Sequence, residues 1–166
     1  MTFEELDKKL ERTALNGYAP FVLSLSDCTD NELTVTIAPS YAGEPNEVAE
    51  RDEPNPVLRE LLNKSRPLLP DEKRVYEIRF DNYIIYQTGN ESFCSGNPND
   101  KYSGRFLRVY ERSALLERIG EFSDAQALED GTYYPGKWTH YGIVTQSHII
   151  DVISVGKPIV NISSPS

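Results

Sequence analysis

From Arg74 onward apolar and polar residues change places at nearly every step: Tyr76, Ile78 and Phe80 alternate with Val75, Glu77 and Arg79. A period of two sends successive side chains to opposite faces of a pleated strand, so this stretch is committed to a sheet with one buried and one wet face. Asp81-Asn82 supplies a turn, and Tyr83 to Thr88 follows as a second, more uniformly apolar strand. Phe106 to Tyr110 reads as a further short strand. Trp138 to Thr145 and Ile149 to Val155 read as a closing pair, with Gln146 to His148 between them. Upstream, Phe21, Leu23 and Leu25, then Leu33, Val35 and Ile37, alternate on either side of the turn-forming cluster Asp27 to Asn31, which predicts a β-hairpin.

Helical spacing is confined to shorter pieces. Thr2 and Glu5 form a capping box, and Phe3, Leu6, Leu10 and Ala14 then recur on one helical face, with Gly17 as the stop. Glu4, Asp7, Lys8, Glu11 and Arg12 are expected in water. Asn55-Pro56 offers an N-cap and a first-turn proline for a short helix carrying Leu58, Leu61 and Leu62. Ser113 is placed to cap a helix with Leu115, Leu116 and Ile119, and Asp124 to Leu128 reads as another helical turn. Three segments read as loops. Pro39 to Pro56, with four prolines, is a long exposed connection; Gly89 to Gly104 is polar; Gly131 to Gly136 is tight and aromatic. Helices do not alternate regularly with strands, so a doubly wound parallel sheet is excluded. The expectation is one α+β domain over residues 1–166. It has a mainly antiparallel curved sheet or partial barrel, with the N-terminal helix and one or two further helices packed on one side. The length of 166 residues suits a single core.

Charge narrows the classes of partner. The chain carries net charge -9, and residues 1–72 hold 15 acids against 7 bases, net -8, whereas residues 73–166 hold 11 against 10, net -1. Such a balance opposes general nucleic-acid binding, which draws its affinity from Lys and Arg on phosphates, and opposes docking on anionic membrane. No stretch approaches the roughly 20 apolar residues of a spanning helix, and the charged start MTFEELDKKLERT lacks the hydrophobic region of a signal peptide. A cytoplasmic protein is expected. The acidity peaks in the exposed loop at about 39–56, where Glu44, Glu47, Glu50, Asp52 and Glu53 face only Arg51. Two readings stand for it: a solvated loop that keeps the chain soluble, or a surface that steers a basic protein partner.

Signatures of chemistry are sparse. Cys28 and Cys94 form no C-x-x-C, His140 and His148 do not have the spacing of ligands on one helical turn, and glycines form no phosphate-binding or nucleophile-elbow motif. No metal and no cofactor are expected. His140 is read as a strand histidine hydrogen-bonded at the sheet surface. The enzymatic alternative makes it a base in a pocket, with Glu91 or Asp151 beside it, Tyr141 close by and Ser92 or Cys94 within reach of the same region. The ten tyrosines are clustered, Tyr83 with Tyr86, Tyr133 with Tyr134, and Tyr141 with Trp138. Rings with an apolar face and a polar tip serve sheet faces, a recognition surface around Tyr133, Tyr134 and Trp138, or the lining of a small-ligand cleft.

Three segments carry a resemblance: Tyr76 to Tyr86 with Asn90 to Ser92, Phe106 to Leu116, and His140 to Ser154. Together they resemble small uncharacterised bacterial proteins in the style of the immunity proteins that neutralise polymorphic toxins. That resemblance covers about half of the chain and implies no catalytic residues, because immunity proteins share no single fold. It adds to the reading of a bacterial protein-binding module acting by occlusion, whose contact residues come from the acidic loop and the aromatic cluster: Glu47, Glu50, Asp52, Glu53, Tyr133, Tyr134 and Trp138. A small enzyme or ligand-binding α+β barrel with a pocket near His140 is the alternative, and self-association into a homo-oligomer is a third reading.

Overall fold

The computed structural model describes residues 1–13, 17–45, 55–94 and 96–163. Helix α1 (Phe3–Thr13) opens on the expected capping box: Thr2 N–H donates to Glu5 Oε2 at 2.8 Å, and Glu5 N–H donates to Thr2 Oγ1 at 3.1 Å. The hairpin of β1 (Phe21–Asp27) and β2 (Glu32–Ala38) follows, turning at Asn31 with φ 55°. Asn82 adopts the same φ between β5 (Val75–Asp81) and β6 (Tyr83–Asn90). Both turns use asparagine for a left-handed residue, which its side chain tolerates better than most.

Two antiparallel sheets form the body. One has the order β1-β2-β5-β13, where β13 is Ile159–Ser163. The other runs β6-β12-β11-β8-β7, with β7 Lys101–Ser103, β8 Leu107–Arg112, β11 Thr139–Val144 and β12 His148–Ser154. The chain is thus α+β with antiparallel sheets and an N-terminal helix, and the hydrogen-bond ladder does not close into a barrel. The sheets share one core: Leu33, Val35 and Ile37 of β2 with Ile78 and Phe80 of β5 meet Tyr141 and Ile143 of β11 and Ile150 and Val152 of β12. Phe3, Leu6 and Leu10 of α1 join that core, with Phe3 edge-on to Tyr141 at 5.3 Å. At the other edge, Tyr83 donates to Asp27 at 2.9 Å, tying β6 to β1.

Several sequence expectations change here. Asp7 is 4 % exposed, not in water. Its carboxylate accepts the backbone N–H groups of Arg105, Phe106 and Leu107 at 2.9, 2.8 and 2.8 Å, fixing the entry to β8. Gly104 makes room for that contact: its φ is +88°, and a Cβ there would run into the Leu107 carbonyl. Within the expected loop 39–56, Ser40–Ala42 forms β3 and pairs with β4 (Leu68–Pro70). Ser40 is buried there, donating to the Ala19 carbonyl at 2.7 Å. Residues 46–54 lie outside the described residues, so Glu47, Glu50, Asp52 and Glu53 do too, as does Ala14. Helix α2 (Pro56–Lys64) begins at the expected Asn55 cap, which accepts the Val57 N–H at 3.0 Å. Leu58 and Leu61 are exposed on it, and the side chain of Leu62 lies outside the described residues.

The segment 124–128 is not helical. Gln126–Ala127 is β9, paired with β10 (Tyr133–Tyr134), and Asp130-Gly131 makes the turn with Gly131 at φ +83°. An Asp-Gly pair between two strands is a hairpin signal, and it outweighs the weak helical spacing before it. Short helices α3 (Ala114–Glu117) and α4 (Ile119–Phe122) precede it. The loop 89–104 contains a 3-10 turn, Glu91–Phe93, in addition to β7. Strand β13 has no counterpart in the sequence reading; it buries Val160 alone and pairs it with Ile78.

Candidate functional site

Alternation along β11 divides its side chains between two surfaces. Tyr141 and Ile143 enter the core, so His140, Gly142 and Val144 stand on the opposite, outer face of the five-stranded sheet. The register sets Tyr110 of β8 opposite His140, and sets Arg108 and Asp151 on either side of Gly142. Gln87 of β6 lies opposite Asp151. A band of polar residues therefore crosses the outer face, drawn from four strands.

Its centre is a hydrogen-bond chain whose middle members, His140 and Ser113, are buried. His140 Nε2 is 3.0 Å from Asp151 Oδ1, and the other Asp151 oxygen accepts from Gln87 Nε2 at 3.0 Å. His140 Nδ1 is 2.8 Å from Ser113 Oγ, which also accepts the Leu116 N–H at 3.1 Å as the cap of α3. The carboxylate of Asp151 is an acceptor, so Nε2 carries the proton and Nδ1 accepts from the Ser113 hydroxyl. Every member of the chain is satisfied. The Tyr110 ring stacks on the imidazole, with centroids 4.0 Å apart and planes 7° from parallel. Gly142 permits this arrangement, because a Cβ there would come within 2.9 Å of the Tyr110 ring. Burial pushes the Asp151 carboxyl up, but hydrogen bonds from His140 and Gln87, aided by the charge of Arg108, bring it below the usual carboxylate range. Burial raises the Tyr110 hydroxyl, with a hydrogen bond to Arg108 opposing the shift.

Serine, histidine and aspartate in contact suggest nucleophilic catalysis, yet the geometry opposes it. Ser113 and His140 are each 2 % exposed, and the Ser113 oxygen is occupied at the helix cap. A nucleophile must meet its substrate, and this one is covered by the first turn of α3. The chain instead fixes α3 to the sheet. Of the residues proposed from sequence, His140 and Asp151 come together here. Glu91 does not join their hydrogen-bond chain; it sits in the 3-10 turn beside a cavity of about 380 Å³ at the far end of the same face.

That cavity lies between the sheet and a loop that contributes Glu91, Cys94, Gly96, Asn97 and Asp100. Val144, Ile149 and Tyr110 supply its sheet side, and Glu91, Asp100 and Arg108 are its charged lining groups. Cys94 also lines it, packed over Gly89, where a Cβ would collide with its sulfur. The Arg108 guanidinium rests on the Tyr102 ring at 4.3 Å.

At the opposite end of the face, Trp138 is half-buried against a second apolar cluster that includes Ile119 and Ile153. Tyr133 meets Trp138 edge-on at 5.1 Å, and Tyr133 and Tyr134 remain 40 % and 57 % exposed. Asp130 Oδ1 accepts from the Thr132 N–H and hydroxyl, which hold the Asp130 carboxyl below its usual value and fix the turn of this ribbon. Of the expected aromatic group, Tyr133 and Trp138 are in contact, and Tyr134 follows Tyr133 on the same strand.

Ser113, Gln87, Tyr110 and Arg108 were not legible as site residues. A signal existed: residues 108, 110, 140 and 151 share the polar phase of strands whose alternate positions are apolar. It becomes visible only when the register is known. Among the described residues no group of three or more His, Cys, Asp or Glu side chains is placed to hold a metal ion. No helix among them is long and apolar enough to cross a membrane. Comparison with known proteins found no matching family model, no similar curated sequence and no similar solved structure.

Proposed function

We propose that this protein is a bacterial protein-binding module that acts by occlusion, in the manner of a toxin-neutralising immunity protein. The observation that carries the reading is the aromatic ribbon. Tyr133 and Tyr134 are exposed on a hairpin whose turn is hydrogen-bonded and whose ring Tyr133 is braced by Trp138. Tyrosine and tryptophan dominate interface energetics, and a braced ring loses little freedom on binding. The net charge of -8 in residues 1–72 adds steering toward a basic partner.

The test is capture of a partner from cells at low salt, then binding kinetics with the purified pair. The double variant Tyr133→Ala/Tyr134→Ala is expected to weaken affinity at least about tenfold, mostly through faster dissociation. Charge reversal of Glu47, Glu50 and Asp52 is expected to slow association, most at low salt. A partner whose binding ignores the aromatic substitutions would contradict the proposed surface.

A second reading is favoured by the outer-face cavity. Its volume of about 380 Å³ and its mixed lining suit a small ligand.

A further inference from the structure

The cavity's charges specify a ligand class, an inference that deepens the second reading and rests on it. Arg108 enters no ion pair among the described residues. Its guanidinium is nevertheless held in place, stacked on Tyr102 at 4.3 Å with Nε 3.4 Å from the Arg105 carbonyl oxygen. A positioned cation with no carboxylate at ion-pair distance among the described residues, lining a cavity, is matched by an anionic group on a ligand. Two carboxylates share the lining, Glu91 and Asp100, and Asp100 spends one oxygen on the Ala114 N–H at 3.1 Å. Those acids repel a multiply charged anion such as phosphate and favour a ligand that also brings a cationic donor. Val144 and Ile149 leave an apolar wall for the remainder of the molecule.

We infer that the cavity binds a small zwitterion of the amino-acid class. Its carboxylate meets Arg108, its ammonium faces Glu91 and Asp100, and an apolar side chain lies on Val144 and Ile149. The aromatic ribbon at the other end of the face takes no part.

The experiment is titration of the full chain with L-leucine, followed by amide chemical shifts and calorimetry. Isopentylamine and 4-methylpentanoic acid, each lacking one charged group, are the comparison probes. Saturable leucine binding that shifts the Gly96 and Gly142 amides is expected, with both comparison probes at least about tenfold weaker. Arg108→Gln and Glu91→Gln, at exposed or half-exposed positions, should each weaken it about 10- to 100-fold with an unchanged melting temperature. Tight binding of either comparison probe that depends on Arg108 or Glu91 would overturn the zwitterion assignment and leave the pocket reading standing. No shift at Gly96 or Gly142 with any of the three probes would overturn both. Leucine binding insensitive to both substitutions would overturn the assignment to this cavity.

Discussion

The two faces of the five-stranded sheet are built from the same strands and have opposite characters. On the inner face Ile143, Ile150 and Val152 are at most 1 % exposed and belong to the shared apolar core. On the outer face, one residue along each strand, His140, Asp151, Gln87 and Arg108 form hydrogen-bonded and stacked arrangements flanked by a cavity and an aromatic ribbon. The contrast teaches that stability and recognition are divided by the pleat. The second sheet and α1 supply most of the burial that folds the chain, and a smaller apolar cluster around Ile119 and Ile153 covers one end of the outer face, so the rest of that face is free to carry polar groups whose geometry matters more than their area.

The core side also holds a buried carboxylate, Asp7 of α1, and removing it should produce the largest effect. Asp7→Ala strips the acceptor from three backbone N–H groups, two of them in buried hydrogen bonds, and we expect a loss of about 4 kcal/mol in denaturant unfolding, with Asp7→Asn recovering only part of it. A cost under about 1 kcal/mol would mean that water replaces the carboxylate there and that the inner side is less sealed than described.

Asp7 also shows where sequence reasoning stopped. The helical face of Phe3, Leu6 and Leu10 was legible from spacing, and so were the capping box, both asparagine turns and the alternating strands, because each depends on neighbours a few residues apart. Asp7 sits between Leu6 and Lys8 and reads as solvent-facing. Its partners are 98 to 100 residues away in sequence, and no local pattern announces them. The same holds for the site. His140 and Asp151 both stand out as candidates in the sequence, but Ser113 is legible only as a helix cap, since its distance of 27 residues from His140 hides the contact. The Tyr133–Trp138 cluster was legible because it is local.

A smaller effect sharpens the outer face. The folded Asp151 carboxyl titrates below its unfolded value of about 3.9, so its contribution is complete above that pH and is lost as pH falls through the lower folded value. Asp151→Asn should therefore cost about 1 to 2 kcal/mol at pH 7, with the gap to the parent protein narrowing below about pH 4. Urea unfolding of both proteins from pH 7 to pH 2.5 reads this directly. A gap that widens on acidification would reverse the sign and remove the charged hydrogen-bond chain from the account.

The division of the sheet is tested most directly at two adjacent residues of β11. Ile143, fully buried, faces the core, and Val144, half-buried, faces the cavity. Unfolding free energies of Ile143→Ala and Val144→Ala, measured side by side, should differ sharply: about 3 to 4 kcal/mol lost at Ile143 and under about 1 kcal/mol at Val144. Equal losses at the two positions would contradict the claim that one face of this sheet folds the protein and leaves the other for recognition.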